Sequence, residues 1–129
     1  MGLQEDLMEF IRGEAIRELS NPGVVSRQLL NPENSGSSRV TITEVCLDPG
    51  AEQPRHSHDA SEQIWYALKG NGILLLGGGL EKPFRKGDVV RFTEKEIHGL
   101  RNDGDTEFVY ISVTAPPINF AYAYKEVRG

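Results

Sequence analysis

The stretch HSHDASEQIWYALKG, residues 56–70, places two histidines one residue apart, then a glutamate beside a glutamine, then an apolar run closed by glycine. If residues 62–69 are extended, the two-residue period of a strand puts Gln63, Trp65 and Ala67 on one face. Glu62, Ile64, Tyr66 and Leu68 then share the other. Both faces are largely apolar, which predicts a strand covered on both sides, by a barrel interior on one and by a second layer or a partner subunit on the other. By the same rule His56 and His58 fall on a common face, an economical way to aim two imidazoles at one point. Imidazole nitrogen together with carboxylate or amide oxygen suits a divalent first-row ion, and either Glu62 or Gln63 is placed to complete such a set.

Outward from this stretch the texture is uniform. Apolar and β-branched runs of five to eight residues are cut by Asn21-Pro22-Gly23, Pro49-Gly50, Gly70-Asn71-Gly72, Gly77-Gly78-Gly79 and Lys86-Gly87-Asp88. Frequent turns between short runs read as an all-β sandwich or barrel. The expected strands are 15–19, 24–30, 39–47, 52–58, 62–69, 72–76, 80–84, 88–92, 97–101, 107–114 and 118–124. Leu3, Leu7, Met8 and Ile11 have helical spacing, so a short helical or irregular segment precedes the strands.

Composition removes several function classes. The chain has 129 residues and a formal net charge of -5, a size that fits one domain, 1–129. No basic run is present, so nucleic acid is not an expected partner. The longest apolar runs fall far short of a membrane span, and the acidic start MGLQEDLMEF does not read as a secretory signal, so no membrane partner and a cytoplasmic location are expected. The single cysteine, Cys46, makes no internal disulfide and sits in the apolar run Val45-Cys46-Leu47, where it reads as a small core residue. Gly70 and Gly72 begin a G-x-G pattern that fails at Leu75, so they read as hairpin glycines and not as a phosphate loop.

The third and last histidine is His98, in GDVVRFTEKEIHGLRN, residues 87–102. Here the chain resembles the cupin superfamily, whose first motif has the form G-x5-H-x-H-x3or4-E-x6-G and whose second has the form G-x5-P-x-G-x2-H-x3-N. Gly50, His56, His58 and Gly70 match the first, and Gly87, His98 and Asn102 match the second. Thr93 stands where proline is usual and Lys95 where glycine is usual; neither is a ligand position. The resemblance spans residues 50–102, and the flanking strands extend it to most of the chain.

That resemblance implies a double-stranded β-helix, a jelly-roll barrel, holding one divalent metal ion, with manganese, iron, nickel and zinc all open. It implies the ligands His56, His58, Gln63 and His98. Six residues intervene between Gln63 and Gly70, as the motif requires, and seven between Glu62 and Gly70, and strand parity agrees, since Gln63 shares the face of Trp65. Trp65, Phe92 and Leu100 are the expected pocket walls, from parity and nearness to the ligands. The implied activity is metal-dependent chemistry on a small oxygen-rich substrate, a sugar acid or a keto or hydroxy acid, of isomerase, lyase or cyclase type. An iron-dependent dioxygenase and a non-catalytic small-molecule binding or sensing domain remain open, and no residue stands out as general base. A homodimer is expected, because Ile64, Tyr66 and Leu68 need cover and because Ile118, Phe120, Tyr122 and Tyr124 would form one apolar stripe on an extended tail.

Overall fold

The computed structural model describes residues 8–128. Among the described residues eleven strands are present: β1 (Arg17–Asn21), β2 (Val24–Leu30), β3 (Thr41–Leu47), β4 (Glu52–His56), β5 (Glu62–Lys69), β6 (Asn71–Leu76), β7 (Glu81–Arg85), β8 (Val89–Phe92), β9 (His98–Arg101), β10 (Phe108–Ala115) and β11 (Glu126–Arg128). They form two antiparallel sheets, ordered β11-β1-β2-β3-β10-β5-β8 and β4-β9-β6-β7. The fold is nearly all β, as the turn-rich sequence predicts, and is the double-stranded β-helix that the resemblance implies. No helix among the described residues is long and apolar enough to cross a membrane.

The sheets enclose a core to which both contribute: Val45, Leu47, Trp65 and Tyr110 from the larger, Leu74, Phe84 and Leu100 from the smaller. Strand alternation sets it up. Along β5 the residues Gln63, Trp65 and Ala67 are buried while Ile64, Tyr66 and Leu68 face out. Register then stacks the inward residues of the larger sheet in levels. Thr41, Thr114, Gln63 and Phe92 form one, Thr43, Ser112 and Trp65 the next, and Val45, Tyr110 and Ala67 the third. The first two levels are rich in hydroxyls and amide, and the third joins the apolar core. Gly70, which turns β5 into β6 at φ 91, has the carbonyl of Glu107 2.7 Å from where a Cβ would stand, so only glycine fits that turn.

Three segments depart from the expectations. The helical segment expected near residues 3–11 lies partly outside the described residues, and Met8 to Arg12 form no helix; only a 3-10 turn at Gly13–Ala15 follows. Met8 and Phe10 are exposed, and so short a helix without a packed face does not hold in water. β4 ends at His56, so His58 stands in the following loop and not on the strand. The expected strand at 118–124 is a 3-10 turn, Phe120–Ala123, because the Asn119 side chain accepts the amide proton of Ala121 at 3.1 Å and so curls the chain. The tail residues therefore form no common stripe: Phe120 faces His58, Tyr124 packs on the core and Tyr122 is exposed.

The outer edges of the smaller sheet are β4 and β7. Each carries a proline inside the strand, Pro54 and Pro83.

Candidate metal centre

The smaller sheet delivers two histidines and a loop the third. His56 at the end of β4 pairs across the ladder with His98 at the start of β9, and their ring centroids lie 4.4 Å apart. His58 approaches from the loop, 5.0 Å from His56 and 5.3 Å from His98 by ring centroid. One nitrogen from each of the three rings lies within 4.8 Å of the others, close enough to hold a metal ion.

Each feature of this cluster has a local cause. The ladder between β4 and β9 slips between Gln53 and His56, a bulge that turns His56 toward its partner. Gly99 makes room for the bulge: a Cβ there would meet the Gln53 carbonyl oxygen at 2.7 Å and backbone atoms of Pro54 and Arg55 at 3.0 Å. The His58 loop is pinned by the Lys95 backbone amide, which donates to the His58 carbonyl at 2.6 Å. Lys95 has φ 68, the left-handed conformation that explains why glycine is usual at this motif position. Asn102 is structural: fully buried, it donates to the Leu47 and Thr106 carbonyls and accepts from the Gly104 amide.

The hydrogen bonds also select the tautomer. Nδ1 of His56 lies 2.8 Å from the Pro54 carbonyl oxygen, and Nδ1 of His98 lies 2.8 Å from that of Glu96. A carbonyl only accepts, so each Nδ1 carries the proton and each Nε2 keeps its lone pair. His98 is 2% exposed, and its Nε2 and that of His58 are buried without a hydrogen-bond partner. Buried polar atoms are almost always satisfied, so two orphaned lone pairs beside a third imidazole are what a cation site presents. Burial, reinforced by the neighbouring His56, holds the His98 pKa down to about 4 and lowers that of His58 for the same reasons. Both rings are therefore neutral and ready to donate electron pairs at neutral pH. The residues present fit a divalent ion.

Gln63 and Glu62 separate cleanly. Glu62 faces outward and accepts from Arg91 Nε at 2.7 Å. Gln63 is 4% exposed and lines the same cavity as His56 and His58. Its Nε2 donates to Thr114 Oγ1 at 2.9 Å, while its Oε1 accepts from the Trp65 indole at 3.1 Å. The indole only donates, so the atom facing it must be the amide oxygen.

The cavity beside the histidines has a volume of about 400 Å³, in the range of small-molecule sites. Trp65 lines it. Phe92 and Leu100 do not: Phe92 stacks on His98 at 4.5 Å with the rings 13° from parallel, and Leu100 is fully buried in the core. Parity gave their face correctly but not their depth. Several wall residues went unmarked in the sequence. Gln53, Tyr110, Phe120 and Tyr124 all line the cavity. The alternation Tyr110, Ser112, Thr114 along β10 was a signal for the second of these; the bulge and the curled tail hid the rest. Cys46 stands on the outward face of β3 and not in the core as expected, it is not in the wall of this cavity, and burial together with Glu107 and Glu44 pushes its thiol up to about 11, which disfavours the thiolate.

Comparison with known proteins agrees with this architecture. Residues 43–114 match the family model of the cupin domain. An uncharacterised protein of Methanocaldococcus jannaschii is 28% identical over 100 residues, covering 77% of this chain and 78% of that protein. An oxalate-binding protein of Thermotoga maritima is 28% identical over 85 residues, 66% of this chain and 69% of its own. Among solved structures, the polyketide cyclase RemF from Streptomyces resistomycificus superposes with a TM-score of 0.73 at 20% identity, covering 95% of this chain and 84% of that one, a likeness of fold. The family model spans more than half of the sequence and takes in all of β5 and β9 with the three histidines, and by that measure this chain belongs to the cupin domain family.

Proposed function

We propose that His56, His58, Gln63 and His98 hold one divalent metal ion and that the chain is a metal-dependent enzyme acting on a small chelating acid or hydroxy-ketone. The observation that carries this reading is the pair of buried, unpartnered Nε2 atoms, with His58 in the wall of a cavity of small-molecule size. A bound divalent ion supplies Lewis acidity to a substrate oxygen on which negative charge develops. The protein does the positioning. The Pro54 and Glu96 carbonyls fix two imidazoles, Trp65 and Thr114 fix the Gln63 amide, and the Phe120 ring, 5.9 Å from that of His58, covers the third. A neutral amide in place of a carboxylate leaves the loaded site with both positive charges, which favours an anionic chelator. Isomerisation, elimination or cyclisation by proton transfer is the chemistry such a site suits.

One observation favours binding without turnover as the second reading. Among the described wall residues the sole carboxylate is that of Glu52, which is exposed, so a general base is not evident. The oxalate-binding relative points the same way.

Metal content, measured on the native protein and on Gln63→Ala and Glu62→Ala, tests the ligand set: the first substitution is expected to release metal and the second to retain it. The reverse result would sink the assignment. Incubation of the loaded protein with unsaturated uronates, keto-sugars and aromatic diols, with and without O2, then separates the activities. Product that forms only with O2 identifies the dioxygenase, and a ligand bound but recovered intact identifies a binding protein.

The outward face of β5 supports a second copy of this chain as partner. Ile64, Tyr66 and Leu68 are exposed there, beside Val89 of the neighbouring β8. A contiguous apolar patch of this kind is characteristic of an interface.

A further inference from the structure

The cavity extends well beyond the three histidines. Its wall includes Ser26, Gln53, Tyr110 and Tyr124, and these four form a hydrogen-bonded cluster of their own. The Tyr110 hydroxyl donates to Gln53 Oε1 at 2.6 Å, Ser26 Oγ accepts from Gln28 Nε2 at 2.8 Å, and the Tyr124 hydroxyl is within hydrogen-bonding reach of both Ser26 and Gln53. Tyr110 lies four residues from Thr114 along β10, and Thr114 is level with Gln63. Four residues of strand span about 13 Å, so the cluster belongs to a separate level of the sheet from Gln63.

Two properties of that end matter for what it takes. The level between it and Gln63 sets the Trp65 ring beside the hydroxyls of Thr43 and Ser112, and the tail residues Phe120 and Ala123 also line the cavity. That end also offers no cation. The sole basic side chain among the described wall residues is Arg55, whose guanidinium is exposed and donates to the carbonyls of Leu76 at 2.8 Å and Leu80 at 3.4 Å. Burial keeps both phenols protonated, Tyr110 well above its ordinary range and Tyr124 raised. The Tyr110 proton is already given to Gln53, so its oxygen presents lone pairs. A ligand group arriving there meets acceptors and neutral dipoles.

Resting on the proposed metal site, we propose that Gln53, Tyr110 and Tyr124 form a second, uncharged subsite that reads a hydroxyl at the far end of the substrate. The substrate class is then an acid or hydroxy-ketone that chelates at one end and has an apolar or aromatic body ending in a hydroxyl. Substrates with a phosphate or second carboxylate at that end are disfavoured, because an anion placed there would be desolvated without a counter-charge.

Trp65 is the single tryptophan of the chain and its ring lies 4.5 Å from that of Tyr110, so its fluorescence reports on occupancy of the far end. Three probes share one chelating head: 4-hydroxyphenyl-lactate, phenyl-lactate and 4-carboxyphenyl-lactate. On zinc-loaded protein the hydroxyl compound is expected to bind about fivefold more tightly than the unsubstituted one, the worth of one hydrogen bond, and the carboxylate at least about tenfold more weakly than the hydroxyl. Tyr124→Phe is expected to bring the first two within about twofold of each other while zinc content, read on the same sample, stays at that of the native protein. Equal binding of all three probes by the native protein, or tightest binding of the carboxylate, overturns the subsite. If the protein takes up no zinc, the proposed metal site fails on its own. Titration of the chelator-treated protein with 4-methylphenol, toluene and 4-methylbenzoate then decides the subsite: preference for the phenol sustains it, and equal quenching or preference for the benzoate overturns it.

Discussion

Replacing Gly99 by alanine should damage the site without touching a ligand. The added methyl would stand 2.7 Å from the Gln53 carbonyl oxygen and 3.0 Å from backbone atoms of Pro54 and Arg55. These are main-chain atoms of β4, so the clash is relieved only by moving one strand of the β4–β9 pair against the other by several tenths of an ångström. Overpacking of this kind costs about 1–3 kcal/mol. Loss of glycine's extra freedom in the unfolded chain returns roughly 0.5 kcal/mol or more, so a net loss of about 1–2 kcal/mol is expected. His56 and His98 belong one to each of these strands, and disturbance of the groups that orient metal ligands typically lowers affinity about 10- to 100-fold. Urea denaturation of chelator-treated protein reads the first effect, and zinc titration in competition with a chromophoric chelator reads the second. Gly13→Ala is the control, since nothing lies within 4 Å of its Cβ position. If Gly99→Ala equals the native protein in both measurements, the bulge opposite Gly99 does not set the spacing of the histidines and the account given of it is wrong.

Acid should weaken the metal-free fold through His98. Its folded pKa of about 4 lies below the ordinary 6.5, so the unfolded chain binds the extra proton first, and stability that is complete above pH 6.5 is lost as pH falls from 6.5 to about 4. At about 1.4 kcal/mol per pH unit the full effect is about 3.5 kcal/mol, and His98→Gln should flatten that part of the urea stability curve; an unchanged slope would refute the assignment. Light scattering at micromolar concentration should give twice the chain mass, and Tyr66→Glu, which puts a charge on the outer face of β5, should give a monomer. A native monomer would leave that apolar face without the proposed partner.

What could be read in advance divides by physical origin. The three histidines were legible because their spacing in sequence is set by strands and turns of fixed length, and Gln63 because a two-residue period admits only one of two neighbours to the interior. Even Lys95 was informative: an exposed turn that needs positive φ tolerates lysine at a modest cost, so the motif survives the substitution. Parity, however, is silent on depth. Leu100 shares a strand with His98 but lies two residues further into the core, and Phe92 backs an imidazole instead of facing the cavity. The bulge in β4 resets parity between Gln53 and His56, so no count from the histidines reached Gln53. The tail was misread because a pattern of alternating apolar residues says nothing of Asn119, whose side chain competes for the backbone it would need as a strand.

The prolines at the two borders of the smaller sheet bear on how copies of the chain can meet. A border strand ordinarily offers a row of free amides and carbonyls on which another chain can add itself, the route to open-ended fibres. Pro54 and Pro83 each strike one amide from such a row, and at Pro54 the bulge also spoils the spacing of what is left. Lateral growth from this sheet is thereby interrupted on both sides. Face-to-face contact through β5, as proposed, would bury a bounded patch and be complete once filled, so it would close where pairing at a border strand would propagate.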